Sequence, residues 1–363
     1  MATAARRFRL ILASEVITGL LAAAVLTAGC GGSASHSARV PARPSAPVSS
    51  APAVRDKSAS PGAARAGAAR AVSPGVAGRY RVGERQLVFT EPAHVGVTGQ
   101  HLGARSLLTA IRYPAAKGTA GTWAAGSPFP VVMFAPGFRQ CSATYENLLQ
   151  AWASAGYVVV SVDFPRTSCQ VAATAYEPDL VNQPGDVSYV LGQVLALSAR
   201  PDGFLSGRLN PRQVAAAGQS DGGDTVAALG GNACCQEHRL KAVAVLSGAE
   251  WPPMPGRYFP GAAPPMLFVQ GSADTINPPW TSVQLYRADR AGSRYYLDLF
   301  GADHMVPYTG DNAVERLVAR VTLAFFDRYL LGGKAALTAA TDAADSSGIA
   351  VLDSGGRLPS GAG

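Results

Sequence analysis

Val214-Ala215-Ala216-Ala217-Gly218-Gln219-Ser220-Asp221-Gly222-Gly223-Asp224-Thr225-Val226-Ala227-Ala228-Leu229 decides how the rest of the chain is read. A short apolar run ends in Gly-x-Ser-x-Gly and gives way to a helix-compatible stretch. That is how a serine is forced onto a sharp strand-to-helix turn, because the flanking glycines remove side chains that would block it. In a chain with 40 glycines, chance supplies such a pentapeptide often enough that the surroundings must carry the argument.

Working outward, strand-like runs fall at 85–91, 104–113, 130–135, 157–164, 214–218, 241–247, 265–271 and 294–300. Several are nearly unbroken in Val, Leu, Ile or Phe, the pattern of strands buried on both faces. Helix candidates lie between them at 143–155, 184–198, 223–230, 279–291 and 312–331. The alternation predicts one α/β domain over 79–333, a doubly wound, mostly parallel eight-stranded sheet with helices on both faces. The first two strands have no helix between them and are expected to form an antiparallel edge. The tail, 334–363, is small and polar apart from Ile349-Ala350-Val351-Leu352, and a loosely docked or disordered end is expected.

With 48% hydrophobic residues the chain has ample material for a core, and its formal charge of +7 is unevenly placed. Residues 1–78 carry nine basic and two acidic side chains, the whole of the excess; the remaining 22 basic and 22 acidic groups cancel. The globular part therefore has no bulk attraction for nucleic acid, and no nucleic-acid partner is expected. The basic end reads as a leader: Arg6, Arg7 and Arg9, an apolar stretch over 16–28, then Ala28-Gly29-Cys30. A signal peptide over 1–29 follows, too short for a comfortable membrane span. Small residues before Cys30 resemble the bacterial lipoprotein cleavage box, which would lipidate Cys30 and make the membrane a partner; Thr27 stands where that box usually has Leu, so secretion without a lipid stays open. Residues 30–78 are dominated by Ala, Pro, Ser, Gly and Arg, with nothing aliphatic or aromatic larger than Val, a disordered tether by composition. The expectation is an exported monomer.

In an open parallel sheet, reactive groups gather at the carboxyl ends of the strands. Of five histidines, His36 is in the tether, His94 and His101 precede the second strand, and His238 follows the nucleophile helix at the opposite edge; His304 alone follows a late strand at the reactive edge. Asp274 lies between serine and histidine, after a buried strand and before a helix, whereas Asp298 is inside a strand and Asp303 adjoins His304. Ser220, Asp274 and His304 are thus the expected catalytic set, in the order Ser, acid, His. The Pro136-Gly137 turn offers the amide of Phe138, and the helix start offers that of Asp221, as oxyanion donors. No cluster with metal-ligand spacing and no phosphate-binding glycine loop is present, so neither metal nor cofactor is expected.

Ala110-Ile111-Arg112-Tyr113-Pro114, Ala135-Pro136-Gly137-Phe138, Asp186-Val187-Ser188-Tyr189-Val190-Leu191, Gly218-Gln219-Ser220-Asp221-Gly222-Gly223, Gly271-Ser272-Ala273-Asp274 and Asp303-His304 together resemble the α/β-hydrolase superfamily across nearly all of 80–333. Within it the chain looks most like the platelet-activating-factor acetylhydrolases, dienelactone-hydrolase-like proteins and cutinase-like polyester hydrolases. The resemblance implies a serine carboxylester hydrolase acting on a small-molecule, lipid or polymer ester through an acyl-enzyme. An acyltransferase using the same intermediate, or a non-catalytic binding lipoprotein, are the alternatives. Dienelactone hydrolases proper use cysteine where Ser220 stands, so lactone opening is not implied.

Asp221 departs from the apolar or neutral residue usual after the serine, and its carboxylate is expected to turn away from the oxyanion, towards Arg139. Trp251 follows a strand, and the Pro-rich run after it is expected to loop over the reactive edge. In cutinase-like relatives an aromatic near this point lines the substrate site, which makes Trp251 a candidate wall, with Trp280 and Phe138 behind it; for each, an aromatic capping the core is the alternative. Among the four later cysteines, Cys141 to Cys169 is the pairing that does not span the sheet, while adjacent Cys234 and Cys235 form a vicinal bridge or stay thiols.

Overall fold

Phe129–Ala135, Val158–Asp163, Leu240–Leu246 and Met266–Gly271 are buried along almost their whole length, and strands with no polar face belong inside a sheet covered on both sides. The computed structural model describes residues 77–117, 121–290, 292–353 and Leu358; the expected leader, tether and Cys30 lie outside the described residues.

Among the described residues nine strands make the main sheet: β1 (Arg81–Glu91), β2 (Arg105–Ala115), β3 (Phe129–Ala135), β4 (Val158–Asp163), β5 (Leu209–Gln219), β6 (Leu240–Leu246), β7 (Met266–Gly271), β8 (Arg294–Leu299) and β9 (Ala350–Asp353). Their spatial order is β1-β2-β4-β3-β5-β6-β7-β8-β9. Every pairing from β4 across to β8 is parallel. The first two strands do form an antiparallel edge, and β2 also meets β4 antiparallel. His94 and His101 sit in a separate two-stranded hairpin.

Because side chains alternate along a strand, Val131 and Met133 enter one core while Val132 and Phe134 enter the other. The first core is closed by α2 (Gln183–Ala199), α3 (Asp221–Gly231) and α4 (Pro279–Ala288). The second is closed by α1 (Glu146–Ala155), α5 (Ala313–Phe326) and α6 (Lys334–Asp345). Asn312 caps α5 by accepting the Glu315 amide at 2.8 Å.

The tail differs from expectation. Leu337, Ala340 and Ala344 recur at helical spacing and bury one face of α6, and Ala350 and Leu352 seat β9 antiparallel on β8, adding a ninth strand to the eight expected. Small apolar residues suffice because α6 lies on the already assembled α5 and the edge of the sheet.

Candidate active site

Ser220 joins β5 to α3 with φ 56° and ψ −125°, a conformation that a residue with a side chain adopts only where the surroundings impose it. The surroundings do. A Cβ on Gly218 would run into the Gly222 carbonyl, and one on Gly222 into the Ala135 carbonyl, so both glycines are required by close approach. The Ser220 amide donates to the Leu246 carbonyl at 2.9 Å, tying the turn to β6.

His304 follows β8 and Asp274 follows β7. His304 Nε2 lies 2.8 Å from Ser220 Oγ, and His304 Nδ1 lies 2.7 Å from Asp274 Oδ2. An ionised carboxylate only accepts, so Nδ1 carries the ring proton and Nε2 is left to accept from the serine hydroxyl. Asp274 Oδ1 also accepts the amides of Ile276 and Asn277, each at 2.9 Å. Burial alone would raise this carboxyl; the hydrogen bond and charge of His304, with the two amides, outweigh it and hold Asp274 below the usual carboxylate range.

Two buried glutamines, which sequence reasoning passed over, set this geometry. Gln219 donates to the His304 carbonyl at 2.9 Å and accepts from Tyr145 Oη at 2.7 Å, while Tyr145 accepts the Gly137 amide at 3.1 Å. One chain of bonds therefore joins the serine strand, the histidine loop and the Pro136-Gly137 turn. Gln270 does the same for the acid, donating to Asp274 Oδ2 and to the Asn277 carbonyl, each at 3.0 Å. Gln219 and Gln270 stand at the ends of the buried runs 214–218 and 266–269, and a polar residue there needs a buried partner; that is the legible signal.

Phe138 follows Gly137, where a Cβ would come within 3.1 Å of Ser220 Cβ, so this turn lies against the nucleophile. The amide of Asp221 is the first of α3 and has no intrahelical acceptor by position. The Cys141–Cys169 bridge is formed, with Cα atoms 5.3 Å apart, and ties the segment after this turn to the loop after β4. Closing a loop of 28 residues stabilises the fold by about 3–4 kcal/mol.

The family model of PET hydrolase-like proteins matches residues 108–338, from β2 to α6. The chain belongs to the PET hydrolase-like family. At that level it is a serine ester hydrolase on an α/β-hydrolase fold. No curated protein matches it.

Two features of this PET hydrolase-like chain depart from what its sequence led us to expect. Arg139 does not receive Asp221: its guanidinium lies over the Phe138 ring, 4.9 Å from the centroid. Asp221 is instead buried with Oδ2 unpartnered among the described residues, and burial followed by the Glu177 charge pushes its carboxyl up to about 7, against the pull of its own amide. Nor does the Pro-rich loop close over the reactive edge. It starts there, where the Ala249 amide donates to Asp224 at 2.6 Å, and runs along α3 to its far end, where the Phe259 amide donates to the Gly231 carbonyl at 2.6 Å. A side-chain acceptor in the first turn of α3 and a backbone acceptor at its end draw the loop down.

Trp251 and Trp280 share one cleft of about 270 Å³ with Met254, Tyr258 and Gln284. Phe138, Ser220 and His304 do not line it; Phe138 stays half-buried beside the nucleophile turn. Cys234 and Cys235 are bridged to each other. Among the described residues no group of His, Cys, Asp and Glu is arranged to hold a metal ion.

Proposed function

We propose that the protein is an exported serine carboxylester hydrolase working through Ser220, His304 and Asp274. The observation that carries this is the unbroken bond sequence from Ser220 Oγ through the imidazole to Asp274. Ser220 Oγ attacks the ester carbonyl carbon as His304 Nε2 takes its proton, and Asp274 stabilises the imidazolium. The tetrahedral oxyanion accepts from the amides of Phe138 and Asp221, each such donor lowering the barrier by about 3–4 kcal/mol. His304 returns the proton to the departing alcohol. Water, deprotonated by the same nitrogen, then attacks the acyl carbon, and the acid leaves as the imidazolium returns its proton to Ser220 Oγ.

The substrate reading rests on the Trp251–Trp280 cleft and on exposed apolar side chains after β7 and β8. Ile276, Trp280 and Val306 are 65%, 59% and 48% exposed on the segments after β7 and β8, a concentration of apolar surface that fits a water-poor ester rather than a charged metabolite. With the family's name, this supports aromatic and aliphatic polyesters as well as small apolar esters. Export rests on Arg6, Arg7, Arg9, the apolar 16–28 stretch and Ala28-Gly29-Cys30; lipidation of Cys30 would hold the enzyme at the membrane surface.

The test is to incubate the protein with a fluorophosphonate probe and, separately, with p-nitrophenyl acetate. Labelling at Ser220 and release of nitrophenolate are expected. A protein that does neither is not a serine esterase.

A further inference from the structure

Cys234 and Cys235 lie just beyond α3 and are bridged to each other across a single peptide bond. Asn232 clamps the pair from one side, its Oδ1 accepting the Cys234 amide at 3.0 Å and its carbonyl accepting the Cys235 amide at 3.1 Å. Cys235 Sγ faces Met254 Sδ at 3.9 Å.

The segment is a shelf for the Trp251 loop. The Ala233 amide donates to the Arg257 carbonyl at 3.0 Å, the Asn232 backbone pairs with Tyr258, and Phe259 donates to Gly231. Gly256, at φ 89°, lies so close that a Cβ there would come within 2.9 Å of the Cys234 nitrogen. Both cysteines, Trp251 and Tyr258 pack on the buried Leu180, Ala228 and Met254. Three of the residues held this way, Trp251, Met254 and Tyr258, form one side of the cleft; Trp280 and Gln284, on α4, form the other.

We propose that the Cys234–Cys235 bridge is a specificity-determining positioning element: it stiffens the shelf that seats Met254 and Arg257, and so sets the distance of the Trp251 wall from the Trp280 wall. The substrates it selects are esters whose group beside the reacting carbonyl is bulky and flat. This rests on the ester-hydrolase reading above. A bridge between neighbours removes little loop-closure entropy, so its effect is local rather than on the stability of the fold.

The test compares the full chain with its Cys234→Ser/Cys235→Ser variant on p-nitrophenyl acetate and p-nitrophenyl benzoate. For the benzoate, KM rises about threefold with kcat kept; for the acetate, kcat/KM stays within about 1.5-fold. Trypsin cuts after Arg257 several-fold faster in the variant. Adding Trp251→Ala to both proteins costs the variant less on the benzoate than it costs the parent, as expected of two changes acting on one wall. An unchanged benzoate KM, unchanged cutting at Arg257, or an equal loss on both esters with a lowered Tm overturns the proposal. If the parent neither hydrolyses an ester nor takes the fluorophosphonate, the ester-hydrolase reading fails while the proteolysis arm still decides whether the bridge seats the loop.

Discussion

Around Ser220 four polar neighbours are buried and paired: His304, Asp274, Gln219 and Gln270 each make two or more hydrogen bonds, with partners drawn from four strand ends and their loops. In the cleft between Trp251 and Trp280, a few steps along the same sheet edge, Trp280 is 59% exposed and Trp251 Nε1 is buried without a hydrogen-bond partner among the described residues. One region is over-determined, so its atoms have one arrangement. The other is a pair of aromatic faces whose spacing depends on how a loop is seated. Changes in the first should therefore appear in kcat, and changes in the second in KM and substrate choice.

The largest break expected is Asp274→Asn: the Ile276 and Asn277 amides hold its carbonyl oxygen at the Oδ1 position, so an NH2 donor faces Nδ1 and leaves the imidazole in the wrong tautomer; kcat should fall about 10⁴-fold with KM little changed. Steady-state kinetics on p-nitrophenyl acetate measure it. Gln219→Ala comes next. It cuts the bonds to the His304 carbonyl and to Tyr145, loosening the histidine loop and the Phe138 turn together, and kcat should drop roughly 10- to 100-fold. A matching rise in KM instead would mean that Gln219 acts on binding.

Asp221→Asn sharpens the contrast through pH. The folded carboxyl is raised to about 7, so between the ordinary carboxylate range and pH 7 the folded state holds a proton that the unfolded chain has released, and stability falls as pH rises through that window. Above it the parent places a negative charge next to the oxyanion amides. The Asn variant removes both effects: its loss of stability from acid to neutral pH is smaller, and its kcat/KM exceeds that of the parent by roughly tenfold at about pH 9. Parallel pH profiles for the two proteins would show that Asp221 does not titrate in this way. The smallest effect belongs to the cleft, where Trp251→Ala should raise KM for p-nitrophenyl benzoate about three- to fivefold and leave the acetate unchanged.

The same contrast separates what the sequence disclosed from what it did not. Strands such as 130–135 and 157–164 were legible because unbroken apolar runs have few alternatives, and Ser220, Asp274 and His304 were legible because topology leaves few residues able to meet. The seat of the Trp251 loop was not, since its amides choose acceptors on the far end of α3, a choice made in three dimensions. The helix in the tail is hard to read because, beside Leu337, its buried face is made of Ala340 and Ala344, too small to stand out as apolar. Arg139 was offered to Asp221 on charge alone, whereas stacking on Phe138 was available next door.

The central claim is that Ser220 carries the acyl group. Rapid mixing with p-nitrophenyl acetate, followed by acid quenching and peptide mass analysis, tests it most directly. A nitrophenolate burst of about one equivalent per protein is expected, with an acetyl group on the Ser220 peptide and neither in Ser220→Ala. A burst that survives in Ser220→Ala, or an acetyl group found only on another residue, would contradict it.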